Sequence, residues 1–263
     1  MEVIIRPDEA AAAELAARLI ARAIIEKPST VLGLATGRTM ERVYARLARM
    51  RAEEGLDFSR VRTFNLDEYV GLAPGDPNSY RHYMNSHLFR RVNIDISNTH
   101  LPDGLAENLV EECRRYESLI AACGGIDLQL LGLGESGHIG FNEPLSALQS
   151  RTREKALTPR TLAQNAPLFP SAADVPRRGI TMGVGTILES RRCLLLATGE
   201  GKAAILAAAV EGPVTSMISA SALQLHPRCQ VIVDEAAAGQ LTQTEYYRWI
   251  FENEPEWREF RNV

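Results

Sequence analysis

Cysteine, histidine and tryptophan are scarce: four, five and two of them in 263 residues. The cysteines, Cys113, Cys123, Cys193 and Cys229, form no C-x-x-C pair, and Cys193 and Cys229 fall in apolar runs. This pattern supports neither a zinc site nor a disulfide framework and suits reduced thiols in a cytoplasmic protein. His82 and His87 lie five apart on a helical stretch, off the spacing of three or four that shares one face, so no metal is expected. There is no surplus of basic charge either. The net charge is -4, which leaves no electrostatic footprint for nucleic acid or an anionic membrane. An anionic small molecule would therefore have to be held by local cations and amide groups. The opening "MEVIIRPDE" lacks a basic segment followed by an apolar one, so no secretory signal is expected. The Ala-rich stretch from Ala10 to Ile25 contains Glu14, Arg18 and Arg22, which makes it an amphipathic helix too polar to span a bilayer.

What is present is alternation. Apolar runs at Val31–Ala35, Val61–Asn65, Ile126–Leu133, Cys193–Thr198 and Gln230–Asp234 read as strands. Several lack polar alternation, as expected where both faces are covered. Helical patterns lie between them at Asp8–Glu26, Met40–Glu54, Ser79–Arg91, Glu107–Ala122, Gly201–Glu211 and Gln243–Asn253. The order predicts an α/β fold, an open and mostly parallel sheet with helices on both faces. Right-handed crossovers then gather the strand-to-helix loops at the carboxyl edge, where such sheets bind ligands. With no repeat and no linker, residues 1–263 read as a single domain. The proline-rich stretch 151–178 is the least regular and reads as an excursion that could form a lid.

Four loops could carry chemistry. In "LGLATGRT", Thr36, Gly37, Arg38 and Thr39 join a strand to a helix, and their hydroxyls, amide groups and guanidinium suit a phosphate. The plain alternative is a turn in which Thr39 only caps the helix. In "FNLDEYVGL", Asp67 and Glu68 follow a strand, and a partly desolvated carboxylate there could act as a general base. Exposed loop acids or a helix cap are the alternative. In "LLGLGESGHIGFNEP", His138 follows Gly137, and Glu143 lies close enough in sequence to orient its ring. An oriented imidazole suits proton transfer between a sugar's ring oxygen and its anomeric hydroxyl, although a histidine satisfied by backbone would look the same. In "LATGEGKAAIL", Lys202 sits in the first turn of a helix, against the dipole, a conflict that a bound anion removes, although an ordinary solvated lysine would look the same.

Together the loops resemble the glucosamine-6-phosphate deaminase family. The matching pieces run in order along nearly the whole chain: "LGLATGRT", "TFNLDEYVGL", "GHIGFNEP", "SRTREKALT", "TMGVGTIL", "GKAAILAAAVEG" and "LQLHP". The resemblance implies a Rossmann-like sheet of the deaminase/phosphogluconolactonase type. It also implies a reaction in which a 2-amino aldose 6-phosphate opens, isomerises through an enolamine and loses ammonia to give a ketose 6-phosphate. Asp67 matches the base that removes the C2 proton, His138 the ring-opening group and Glu143 its supporting carboxylate. No redox cofactor or metal is needed. Ser146, Arg153 and Lys155 match positions that bind an acetylated amino-sugar phosphate effector in regulated members, and a homo-oligomer would accompany such regulation.

Two departures stand out. The family's ring-opening motif has Asp two residues before the histidine, where this chain has Ser136. A phosphate-binding arginine expected within Asn165–Phe169 is replaced by Pro167, and Arg38 would supply the missing cation. The same changes fit another amino-sugar phosphate epimer. Two rival readings are a lactone hydrolase of the 6-phosphogluconolactonase group and a non-catalytic sugar-phosphate binder.

Overall fold

The apolar runs become strands because they have no polar face to turn to water. Cys193–Ala197 and Val31–Leu34 are buried at every position, and Cys229–Asp234 at all but Gln230. The structure is a computed structural model that describes residues 1–171 and 173–261. In chain order its elements are β1 (Glu2–Arg6), α1 (Glu9–Glu26), β2 (Val31–Leu34), α2 (Arg38–Glu53), β3 (Arg62–Asn65), β4 (Asp67–Tyr69), α3 (Tyr80–His87) and β5 (Thr99–His100). Then come α4 (Leu109–Ala122), β6 (Leu128–Gly132), β7 (Arg153–Ala156), α5 (Pro159–Asn165), β8 (Arg178–Thr181), α6 (Val184–Leu188) and β9 (Cys193–Ala197). The chain finishes with α7 (Ala203–Val210), β10 (Cys229–Asp234), α8 (Glu235–Ala238) and α9 (Thr244–Asn253).

Seven strands form one sheet in the order β1-β10-β9-β6-β2-β3-β5, and every pair is parallel. β6 is therefore central, with β9 on one side and β2 on the other. All the strand-to-helix loops leave the same edge, the arrangement expected from right-handed crossovers. Helices follow where caps allow. The Asp8 side chain accepts from the Ala11 amide and starts α1, whose inner face buries Leu15, Leu19 and Ile20 against β9 and β10.

A second, antiparallel sheet of order β4-β8-β7 stands apart from the first. Its strands are three or four residues long and mixed in polarity, so hydrophobic periodicity does not announce them. The stretch 151–178 contains β7 and α5, the helix opened by the Thr158 side chain accepting from the Thr161 amide, with Pro159 at its first position. Among the described residues no helix is long and apolar enough to cross a membrane.

Candidate active site

Because β6 lies between β2 and β9, the loops after those three strands come together at the carboxyl edge of the sheet. The loop after β6 carries His138 and Glu143, the loop after β2 carries Thr36–Thr39, and the loop after β9 carries Lys202. Asp67 arrives from the far side of β2. It opens β4 one residue after β3 ends, and it pairs with Thr181 of β8.

Asp67 and Glu68 are neither exposed nor equivalent. Both are buried, at 6% and 4% exposure. Glu68 accepts hydrogen bonds from the amides of Tyr69, Tyr80 and Arg81, and so caps α3. The helix-cap alternative thus holds for Glu68 alone. The Asp67 carboxyl receives no hydrogen bond from the described residues; burial, and then the nearby Glu68 charge, push its pKa up to about 8. A desolvated carboxyl without donors is a reactive base near neutral pH. It adjoins the histidine loop: a Cβ on Gly140 would stand 3.6 Å from Asp67 Oδ2 and 2.7 Å from Thr181 Oγ1. Gly140 also has φ +56, so glycine is required there for both close approach and backbone conformation.

The His138 ring is oriented through its Nδ1, which lies 2.7 Å from Ser136 Oγ and 3.3 Å from Glu143 Oε2. Nε2 has no hydrogen-bond partner among the described residues and lies over Gly134, where a Cβ would be only 2.1 Å from it. Glu143 is 2% exposed, and its second oxygen, Oε1, accepts from Thr158 Oγ1 at 3.2 Å and from Thr161 Oγ1. Burial pushes the Glu143 carboxyl up, but the His138 interaction and the two threonine hydroxyls outweigh it and hold it down at about 2. Glu143 is therefore a fixed anion facing an imidazole, which favours a proton on Nδ1 and leaves Nε2 free to accept one.

The loop that presents this pair is rigidly anchored. Buried Asn142 donates to the carbonyls of Ile139 and Met182, and Ser219 Oγ donates to the Asn142 carbonyl. Arg153 Nη1 donates to Asn142 Oδ1 at 2.9 Å, and its Nη2 donates to Ser146 Oγ at 3.0 Å. Two of the three residues matched to an effector site thus bond to each other and brace the loop. Lys155 lies beyond them on β7, paired with Gly179.

Gly37 precedes α2 with φ +113, and its carbonyl accepts from the Tyr83 hydroxyl. Thr36 and Thr39 are half-buried, and Arg38 is exposed at the start of the helix. Lys202 is half-buried at the N-terminal end of α7; burial lowers its pKa, the Glu135 charge raises it and the Arg160 charge lowers it. Thr158, Thr161 and Asn142 are site residues that the sequence does not single out. "TPRT" signals a helix start, but nothing in it announces a contact with Glu143. Among the described residues no group of three or more His, Cys, Asp or Glu is placed to hold a metal.

Comparisons with known proteins give the family. Residues 8–232 match the family described as glucosamine-6-phosphate isomerases/6-phosphogluconolactonase. The chain is 49% identical over 258 residues to a glucosamine-6-phosphate deaminase of Arthrobacter sp. (strain FB24), covering 98% of this chain and 99% of the relative. It is also 49% identical over 250 residues to the glucosamine-6-phosphate deaminase of Hahella chejuensis, covering 95% of each. The solved structure of a monomeric glucosamine-6-phosphate deaminase superposes with a TM-score of 0.90 at 44% identity, covering 91% of this chain and 100% of that one. The 6-phosphogluconolactonase of Trypanosoma cruzi shares the fold, with a TM-score of 0.73 at 20% identity over 92% of this chain and 97% of its own. A family model that spans most of the sequence, and relatives close to half identical from end to end, coincide with the loops that the parallel sheet gathers at one edge: the chain belongs to the family of glucosamine-6-phosphate isomerases and 6-phosphogluconolactonases.

Proposed function

We propose that the protein is a glucosamine-6-phosphate deaminase, converting a 2-amino-2-deoxyaldose 6-phosphate and water to a ketose 6-phosphate and ammonia. The observation that carries this reading is Asp67, a buried carboxyl with no donor from the described residues, its pKa raised to about 8, beside the loop that holds an oriented imidazole. Two proton transfers at different atoms require two such groups. His138 Nε2 takes the anomeric hydroxyl proton and returns one to the ring oxygen, opening the ring to an aldehyde. Only then is the C2 hydrogen acidic, and Asp67 removes it as the C1 oxygen takes a proton from solvent, giving the enolamine. Asp67 hands its proton to C1, which leaves an iminium at C2; water adds there, and proton transfer to the nitrogen lets ammonia leave. Glu143 stays ionised throughout and stabilises the imidazolium that forms in between.

On this reading the phosphate lies against the amides and hydroxyls of Thr36–Thr39, with Arg38 and Lys202 as its cations. The stretch 151–178 acts as a lid, since α5 and its cap carry Thr161 and Thr158 onto Glu143. The enzyme works in the cytoplasm on a small phosphorylated sugar.

The test is an ammonia-coupled assay across 2-amino-2-deoxyhexose 6-phosphates, run with Asp67→Asn beside the wild type. Ammonia release, lost in Asp67→Asn while binding persists, is expected. Hydrolysis of a sugar lactone without ammonia release, or binding without turnover, would overturn the reading.

A further inference from the structure

At the amino edge of the main sheet, opposite all the loops described above, lies a cavity of about 450 Å³. It opens where three strands begin: Glu2 starts β1, Arg192 precedes β9 and Arg228 precedes β10. We propose that this cavity is a second small-molecule site, which binds a phosphorylated sugar with its phosphate on Arg192 and Arg228.

The charges in the lining are unevenly matched. Arg22 is neutralised by Glu26 and Glu259, at 2.7 and 2.5 Å. Arg192 is half-buried and pairs with no carboxylate among the described residues; its contact is an Nη2 hydrogen bond to Gln230 Oε1 at 3.3 Å. Burial is the main reason its pKa is lowered; among its neighbours Glu26 and Glu256 raise it while Arg22 and Arg228 lower it. Arg228 is exposed and likewise without an acidic partner among the described residues. A partly desolvated guanidinium beside a second one is costly until an anion bridges them, and a phosphate matches the planar fork of each.

The side chain of Trp257 lines the cavity and is 1% exposed, so its ring forms part of the wall and its emission reports on what enters. The lining also includes Met1 and the carboxyls of Glu2 and Glu256; burial, and then Glu256, push Glu2 up to about 7, against the pull of the terminal ammonium. Such a pair accepts hydrogen bonds from hydroxyls without presenting two full negative charges to the phosphate. The volume is that of a small-metabolite site.

The chain has two tryptophans, and Trp249 is 55% exposed on α9, so Trp249→Phe leaves Trp257 as the sole reporter. Titration of that variant with glucose 6-phosphate should change its emission saturably, inorganic phosphate should bind several-fold more weakly, and glucose should not bind. Arg192→Gln and Arg228→Gln should each weaken glucose 6-phosphate binding by about tenfold or more. Lys202→Ala, at the opposite edge, should leave the titration unchanged. A flat titration, equal affinity for phosphate and glucose 6-phosphate, or undiminished binding in Arg228→Gln would overturn the proposal. Because Arg228 is exposed, its variant decides the matter even if Arg192→Gln does not fold.

Discussion

Glu143 Oε2 stands 3.3 Å from His138 Nδ1, while the other oxygen of the same carboxylate is held by two threonine hydroxyls from a different part of the chain. The carboxylate is thus divided between the imidazole it orients and the 151–178 excursion. Its low pKa is a joint product of both sides, since burial alone would raise it. Order in α5 and the ionisation of Glu143 are therefore coupled.

Removing one hydroxyl should expose that coupling. Thr161→Val keeps the shape and deletes a buried donor to a charged group, a loss of about 1.5–3 kcal/mol. Turnover should fall roughly tenfold or more. Stability should report the same change with a defined sign. A carboxyl depressed from 4.5 to about 2 stabilises the fold above pH 4.5 and loses that contribution as pH falls toward 2. In Thr161→Val the loss of melting temperature across this window should be shallower than in the wild type; an unchanged slope would mean that the hydroxyl does not tune Glu143.

Ser136 takes the place of an expected acid, yet its hydroxyl lies 2.7 Å from His138 Nδ1 and 3.4 Å from Glu143 Oε2. It links the two groups without adding charge. Ser136→Ala should lower kcat about three- to tenfold, from one lost hydrogen bond of about 1 kcal/mol, with little change in KM. Steady-state kinetics decide it: a rise in KM alone would assign Ser136 to substrate binding instead.

The main sheet is legible in the sequence because its strands are apolar on both faces, as in the all-buried run of β9. The second sheet is not. β7 reads "REKA" and β4 reads "DEY", and only long-range pairing with β8 makes either a strand. This is why the sequence places Asp67 after a strand when it opens one. Asp67, His138 and Glu143 can be picked out because each sits in a distinctive local motif. Thr158 and Thr161 cannot, since their contact with Glu143 spans fifteen and eighteen residues across a stretch that looks irregular. Arg153 shows the opposite limit: the resemblance supplies a position and a role, but not the hydrogen bonds to Asn142 and Ser146 that occupy it.

Those bonds make a prediction about stability. Arg153→Ala would leave the Asn142 and Ser146 side-chain oxygens, both in buried residues, without this donor. The cost should be about 1–3 kcal/mol, a fall in Tm of several degrees for a chain of this size. Activity should fall with it, because Asn142 anchors the loop of His138 and Glu143. A variant that melted like the wild type would show that the brace is dispensable.

Asp67 should make function and stability respond to pH in opposite directions. Burial raises its carboxyl from 3.8 to about 8, so the native state keeps a proton across that window while the unfolded state releases it. Stability must then fall as pH rises from about 4 to 8 and level off beyond, because the ionised form is the desolvated, disfavoured one. Proton abstraction needs that same ionised form, so kcat/KM should climb through neutrality and level off above about pH 8. Asp67→Asn removes the titration altogether. It should melt several degrees above the wild type at pH 8, differ little at pH 4, and fail to exchange the C2 hydrogen of an amino-sugar phosphate with deuterated solvent. Thermal melts at the two pH values, a pH–rate profile and proton NMR of the sugar test the three parts separately. C2 exchange persisting in Asp67→Asn would remove Asp67 from the chemistry, whereas a flat rate profile between pH 6 and 9 would place its titration elsewhere.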